Sequence, residues 1–175
     1  MSFYQKLAVV AEKLNISAKA FRYVFNISPM YKRSTAKVTK VSDDLTYIEV
    51  KLPISYKNKN YNGSIFGGSM FSAVDPIPMV QLVNLLKNDY VVWDKSAEIY
   101  FKRPAREDIY ADFIFTLDEI SEIKNRISTE KEITFVKITK LMNKERTKIF
   151  CEVHKTIYVA DKKFYSEKNK LQAAK

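Results

Sequence analysis

The chain of 175 residues has only three glycines, five prolines, one cysteine and one histidine. Each scarcity excludes something. A lone cysteine, Cys151, forbids an intrachain disulfide, and it alternates with apolar neighbours as a small core residue does. A lone histidine, His154, cannot build a His-rich metal site, and it falls on the opposite strand face from Cys151 and Val153. No HExxH or CxxC pattern is present, so no metal ligand set is expected. Apolar runs are short. No stretch approaches the roughly 18 apolar residues of a membrane span, and membrane insertion is not expected. The run from Leu7 to Ala11 stops at Glu12 and Lys13. It is too short for the apolar region of a secretory signal, and no small-residue cleavage site follows. The expected location is cytoplasmic.

What is present is core material and positive charge. Hydrophobic residues make up 46% of the chain, with 11 Tyr and 11 Phe, enough for one domain with a buried core. The formal net charge is +10. Such a charge suits nucleic acid, an anionic membrane or a phosphorylated ligand. The lysines are spread along the chain as on a solvated surface, and no nucleic-acid-binding signature accompanies them. Nucleic acid is therefore not expected as a partner.

All three glycines fall in the stretch from Asn60 to Ser69, just ahead of an apolar, helix-like run. Glycine tolerates positive φ and close approach of another group. A loop that feeds a helix presents unpaired N–H groups and the positive end of the helix dipole. That suits an anion, or an oxygen that becomes negative during a reaction. Asp75 follows Gly68 by about two helical turns. A carboxylate in so apolar a run, if desolvated, suits a base near neutral pH. Asp75-Pro76 reads equally well as the cap and first residue of a second helix. Gly67-Gly68 also reads as close packing, Asn60 as an ordinary loop residue, and Arg103-Pro104 as a strand-ending turn.

The periodicity predicts helix from residue 3 to 25, with Asn15 or Ser17 capping a second segment and Pro29 marking the exit. Alternation predicts a hairpin over Ser34 to Leu52 that turns at Asp43-Asp44. Helix follows from Gly67 to Leu86, kinked or split at Asp75-Pro76 because a proline removes a helical hydrogen bond. Strands are expected over Tyr90–Phe101, Ile109–Leu117, Lys131–Met142 and Thr147–Ala160, with Asp118 to Ser128 a charged connector. Strands lying against one apolar helix indicate an α+β fold. The organisation is an N-terminal helical extension over 1–29, a main domain over 30–161 and a basic tail over 162–175.

Four blocks carry a resemblance: Asn60-x-x-Gly63-Ser64-x-Phe66-Gly67-Gly68-Ser69; Asp75-Pro76; Asp89 to Ala97; and Phe101-Lys102-Arg103-Pro104-Ala105. In this order they resemble the hotdog fold, and within it the thioesterase-like DUF4442 family, related to phenylacetic-acid-pathway thioesterases. The resemblance implies a curved antiparallel sheet around a long central helix. It implies hydrolysis of acyl-CoA or acyl-carrier thioesters by a homodimer or dimer of dimers, with sites between subunits. Coenzyme A enters only as part of the substrate. Gly67 and Gly68 would polarise the carbonyl, flanked by Phe66 and Ser69. Asp75 would activate water or act as nucleophile. Asn60 would orient water or carbonyl, with Asn62 a rival. Lys95, Ser96 and Arg103 would lie near the coenzyme A moiety. Many relatives have His-Gly-Gly where this chain has Phe66-Gly67-Gly68, and phenylalanine cannot hydrogen-bond a carbonyl. The alternative is a non-catalytic binder of acyl-CoA or fatty acyl groups.

Overall fold

A computed structural model of the protein describes residues 18–173. Of the helix expected over 3–25, the part before residue 18, with the caps at Asn15 or Ser17, lies outside the described residues. Helix α1 (Ala18–Ile27) leads into a short α2 (Pro29–Lys32). The first helix ends at Ile27, just ahead of Pro29, and Pro29 opens the next one, since its missing N–H costs nothing at a first helical position. Asn26 ties α1 to the sheet: its Nδ2 donates to Val38 O (2.9 Å), and its Oδ1 accepts from Val38 N (2.8 Å).

Strands β1 (Lys37–Val41) and β2 (Tyr47–Leu52) form the expected hairpin. The remaining strands are β3 (Tyr90–Phe101), β4 (Ile109–Ile114), β5 (Glu132–Met142) and β6 (Ile149–Asp161). All pair antiparallel, in the order β1-β2-β4-β5-β6-β3. Strand β3 is thus an edge, with one side unpaired among the described residues.

Between β2 and β3 runs the central helix, α3 (Gly67–Val74) and α4 (Ile77–Leu86). Pro76 and Pro78 have no N–H for the carbonyls of Ser72 and Val74, so the ladder breaks there. Asp75 and Pro76 both keep right-handed helical angles, and the path continues to Asp89. Counted as one segment, Gly67–Asp89 is long and apolar enough, by length and composition, to cross a bilayer, with a mean hydropathy of 1.2. This corrects the expectation that no stretch approaches that size. In the fold the sheet covers this helix. Val74 and Ile77 pack with Ile48, Val50, Phe113 and Val153, while Leu82 and Leu86 pack with Phe115, Ile157 and Val159. One helix serves both apolar clusters, so the sheet curves around it. Cys151 is fully buried in the first cluster, and burial pushes its thiol up to about 12.

One further expectation needs correction. The connector from Asp118 to Ser128 is a helix, α5 (Leu117–Glu130), and β4 ends before it. Of the two readings of the basic tail, frayed end or surface helix, the structure has the helix, α6 (Lys162–Ala173), with no buried residue.

Candidate active site

The glycine stretch folds as a loop that organises itself. Asn60 Oδ1 accepts from the N–H groups of Asn62 (3.0 Å) and Ser64 (3.1 Å), and its Nδ2 donates to Ser64 Oγ (3.0 Å). Gly63 closes this turn at φ +74°, the left-handed region that glycine occupies without strain. Asn60 and Asn62 are therefore engaged in shaping the loop, and Asn62 is exposed.

Ile65 N then donates to Ala105 O (2.8 Å) and Phe66 N to Asn58 O (2.8 Å), which fixes the entry to α3. The Phe66 carbonyl accepts the N–H groups of Ser69 (3.0 Å) and Met70 (3.2 Å). The N–H groups of Gly67 and Gly68, first and second in the helix, have no protein acceptor among the described residues. These are the orphan donors of a helix start. The glycines are needed here for space. A Cβ on Gly67 would stand 2.5 Å from the Phe101 ring, and one on Gly68 would stand 2.4 Å from the Phe66 ring. Two aromatic rings thus flank the free amides. Arg103 lies in the exposed loop just after Phe101, between that ring and Ala105.

Asp75 ends α3. Its side chain caps nothing, and Pro76 rather than Asp75 precedes α4. The capping alternative is therefore not what the structure shows. The carboxylate Oδ1 and the backbone carbonyl of Asp75 both accept hydrogen bonds from Lys155 Nζ, the carbonyl at 2.6 Å. Lys155 also donates to Asp94 Oδ2 at 2.9 Å. The Lys155 side chain is 3% exposed and that of Asp75 44%, so Asp75 is an ion-paired, half-open carboxylate, and the condition of desolvation is not met.

Asp94 reaches this cluster through a bulge. The β3–β6 register pairs Asp94 with Ile157 and Ser96 with Thr156, leaving Lys95 extra. Before the bulge, Val92 and Asp94 face inward. After it, Ile99 and Phe101 do, because one inserted residue reverses the alternation. Lys95 and Ser96 are exposed at the bulge, with the Lys95 ammonium 5.1 Å from the Tyr158 ring centre. Burial raises the Asp94 carboxyl above the usual range, Lys155 opposes that, and the nearby charge of Asp75 adds to it.

The structure therefore brings together Phe66, Gly67, Gly68 and Ser69 at one helix start, with Arg103 in the adjoining loop. It sets Asp75 further along the helix beside the β3 bulge that carries Lys95 and Ser96. Sequence reasoning missed Lys155 and assigned no role to Asp94. From Gly68 to Asp75 is seven residues, about 10 Å along the axis. A carbonyl oxygen hydrogen-bonded to the Gly68 amide is therefore beyond direct hydrogen-bond distance of the same chain's Asp75.

The family described as a domain of unknown function (DUF4442) matches residues 17–159. No curated protein matches the sequence. Among solved structures, PA5026 of Pseudomonas aeruginosa, a protein of unknown function described as a probable thioesterase, is similar with a TM-score of 0.72 and 15% identity, over 83% of this chain and 97% of that one. The thioesterase HI1161 of Haemophilus influenzae is similar with a TM-score of 0.61 and 13% identity, over 83% of this chain and 92% of that one. The zebra fish thioesterase superfamily member 2 has a TM-score of 0.58 and 13% identity, over 83% of this chain and 98% of that one. At such identities the similarity is one of fold, and the fold is the hotdog of these thioesterases.

Proposed function

The chain belongs to the DUF4442 family, and from that premise we propose that it hydrolyses acyl thioesters, of coenzyme A or of an acyl carrier, in sites formed between two copies. The observation that carries this reading is the pair of unpaired amides at Gly67 and Gly68, with a tethered carboxylate seven residues further along the same helix. In the reaction, the carboxylate of Asp75 takes a proton from water as the water oxygen adds to the thioester carbon. The carbonyl oxygen gains the charge and is held by the Gly67 and Gly68 N–H groups. The C–S bond then breaks and the thiolate leaves. A positioned base contributes about 10²–10⁴-fold, and an oxyanion donor about 10²–10³-fold.

Because one chain separates donor and base, a second copy completes the site. The open edge of β3 is where it docks, carrying Trp93 and Phe101 exposed. Lys95 and Arg103 lie beside the two halves and suit the phosphates of coenzyme A.

A second reading rests on Phe66, whose ring lies against Gly68 where a hydrogen-bonding side chain would assist. In it the protein binds acyl-CoA without turnover.

The test is thiol release from acyl-CoAs, acetyl to palmitoyl, by wild type and Asp75→Asn. The expected fall in the folded variant is about a hundredfold or more. An unchanged rate removes Asp75 from the mechanism. No release by wild type, with tight binding by calorimetry, selects the binder.

A further inference from the structure

Lys155 stands on the core face of β6 between Val153 and Ile157, both buried. An isolated ammonium there would be costly, so it must be paired and hydrogen-bonded. Its three N–H donors have three acceptors: the Asp75 carbonyl, Asp75 Oδ1 and Asp94 Oδ2. The first is the carbonyl that ends α3, a place where a cation is favourable. The second leaves Asp75 Oδ2 without a protein partner among the described residues. The third exists only because the β3 bulge turns Asp94 inward.

We propose that Lys155 is the positioning residue of the site: it clamps Asp75 by backbone and side chain so that one carboxylate oxygen is presented to water, while Asp94 sets how much of the lysine's charge Asp75 feels. The proposal rests on the reading of Asp75 as the base and deepens it. The charged groups facing Asp75 are Lys155 from β6 and Asp94 from β3. Lys95 turns to the Tyr158 ring, and His154, on the other face of β6, lies against Tyr100 with ring centres 5.0 Å apart.

One cation between two carboxylates gives two opposite predictions. Without the lysine charge the carboxylates repel, and the pair takes up its first proton at higher pH. Without Asp94 the whole charge falls on Asp75, which becomes a weaker base that stays ionised to lower pH. The burial of Asp94, which already raises its carboxyl, makes it the partner that yields.

The experiment uses the full chain as wild type, Lys155→Met and Asp94→Asn. It reads kcat and KM against pH on the best thioester, and the ¹³C carboxyl signals of the aspartates against pH. In Lys155→Met the acid limb of kcat and the first protonation of the pair move up by about one pH unit or more. At its optimum, kcat falls about tenfold or more, with KM within about twofold. In Asp94→Asn the acid limb moves down. Limbs that stay in place, or move in the same direction in both variants, overturn the proposal. If Lys155→Met does not fold, Asp94→Asn decides alone: a downward shift supports Lys155 control, and an unmoved or raised limb overturns it. A wild type without hydrolysis defeats the thioesterase reading only. The carboxyl titrations then decide whether Lys155 governs the pair.

Discussion

Phe66 sits at the mouth of the central helix, 58% exposed, with its ring against Gly68. An exposed side chain of this kind contributes little to stability, usually within about 0.5 kcal/mol on substitution. It can therefore be exchanged for a hydrogen-bonding residue without loss of the fold. Phe66→His adds a donor beside the two free amides, so kcat for thioester hydrolysis is expected to rise by about tenfold, below the full value of an ideally placed donor. Thiol release at matched folding, followed by circular dichroism, checks it. A fall in rate with a raised KM would instead make the ring a contact for the acyl group. At this scale the sequence exposed half of the site. Three glycines in one stretch marked the helix start, because the turn there takes positive φ at Gly63 and the helix entry needs ring-sized space at Gly67 and Gly68. Lys155 was readable too. Cys151, Val153, Lys155, Ile157 and Val159 share one face of a strand, and a lysine among four apolar residues announces a buried partner. Asp94 was not, because an inserted residue reverses the alternation and only the pairing with β6 reveals it. Asn60 makes the hydrogen bonds of a loop-shaping asparagine, the reading the sequence offered beside a site role.

Among the elements, helix α5 shows why the charged stretch after β4 was read as a connector. Four acids, one lysine and one arginine stand among its 14 residues, yet the signal was local. Thr116 and Glu119 form a reciprocal capping box, with Glu119 N donating to Thr116 Oγ1 (3.1 Å) and Thr116 N to Glu119 Oε2 (2.9 Å). Ile120, Ile123 and Ile127 repeat at helical spacing and are buried, the pattern of one apolar stripe. The strands were easier, because β2, β4 and β6 each alternate against the same helix. Their solvent side carries a clamp that no spacing announced. Arg146, in the turn between β5 and β6, donates Nε–H to Asp112 Oδ2 (2.6 Å) and Nη2–H to Glu49 Oε2 (2.8 Å). Burial alone would raise the Asp112 carboxyl, but hydrogen bonds from Arg146 and Tyr47 outweigh it and hold it below the usual range. Glu49 is likewise raised by burial and brought lower overall by Thr39, Lys40 and Arg146. A carboxylate more acidic in the folded than in the unfolded chain adds stability above its unfolded pKa, about 3.9 for Asp and 4.3 for Glu. That contribution disappears as pH falls through the folded value. The urea midpoint is therefore expected to drop as pH is lowered from about 5 to 3. In Arg146→Met it should start lower at pH 7 and fall less steeply through that window. Equal slopes for the two proteins would show that the clamp does not set the acid limit.

At the scale of the molecule, the distance between the Gly67-Gly68 amides and Asp75 bears on how many copies the proposed site needs. With about 10 Å along the helix between them, the proposed reading takes the two halves of a site from different subunits. The edge of β3, a liability for any lone sheet, is where the proposed pairing joins them. Two-fold pairing then gives two identical sites, each built from the helix start of one chain and the Asp75 of its partner. This arrangement predicts complementation. Gly67→Pro removes one donor at a first helical position, where the preceding Phe66 is already extended, and its added carbons must displace the tip of the exposed Phe101 ring that a Cβ would meet at 2.5 Å. Asp75→Asn removes the base. Each variant alone is expected to lose most activity. When the two are unfolded together and refolded as a mixture, about half of the dimers carry one chain of each kind. In those, one site has both defects and the other has neither, so about a quarter of wild-type activity returns. Sedimentation of each variant as a dimer, with activity that falls on dilution below its dissociation constant, accompanies that outcome. A mixture no more active than its parents would place donor and base of each site within one chain, and the 10 Å between them would then have to close by movement of the helix break at Asp75.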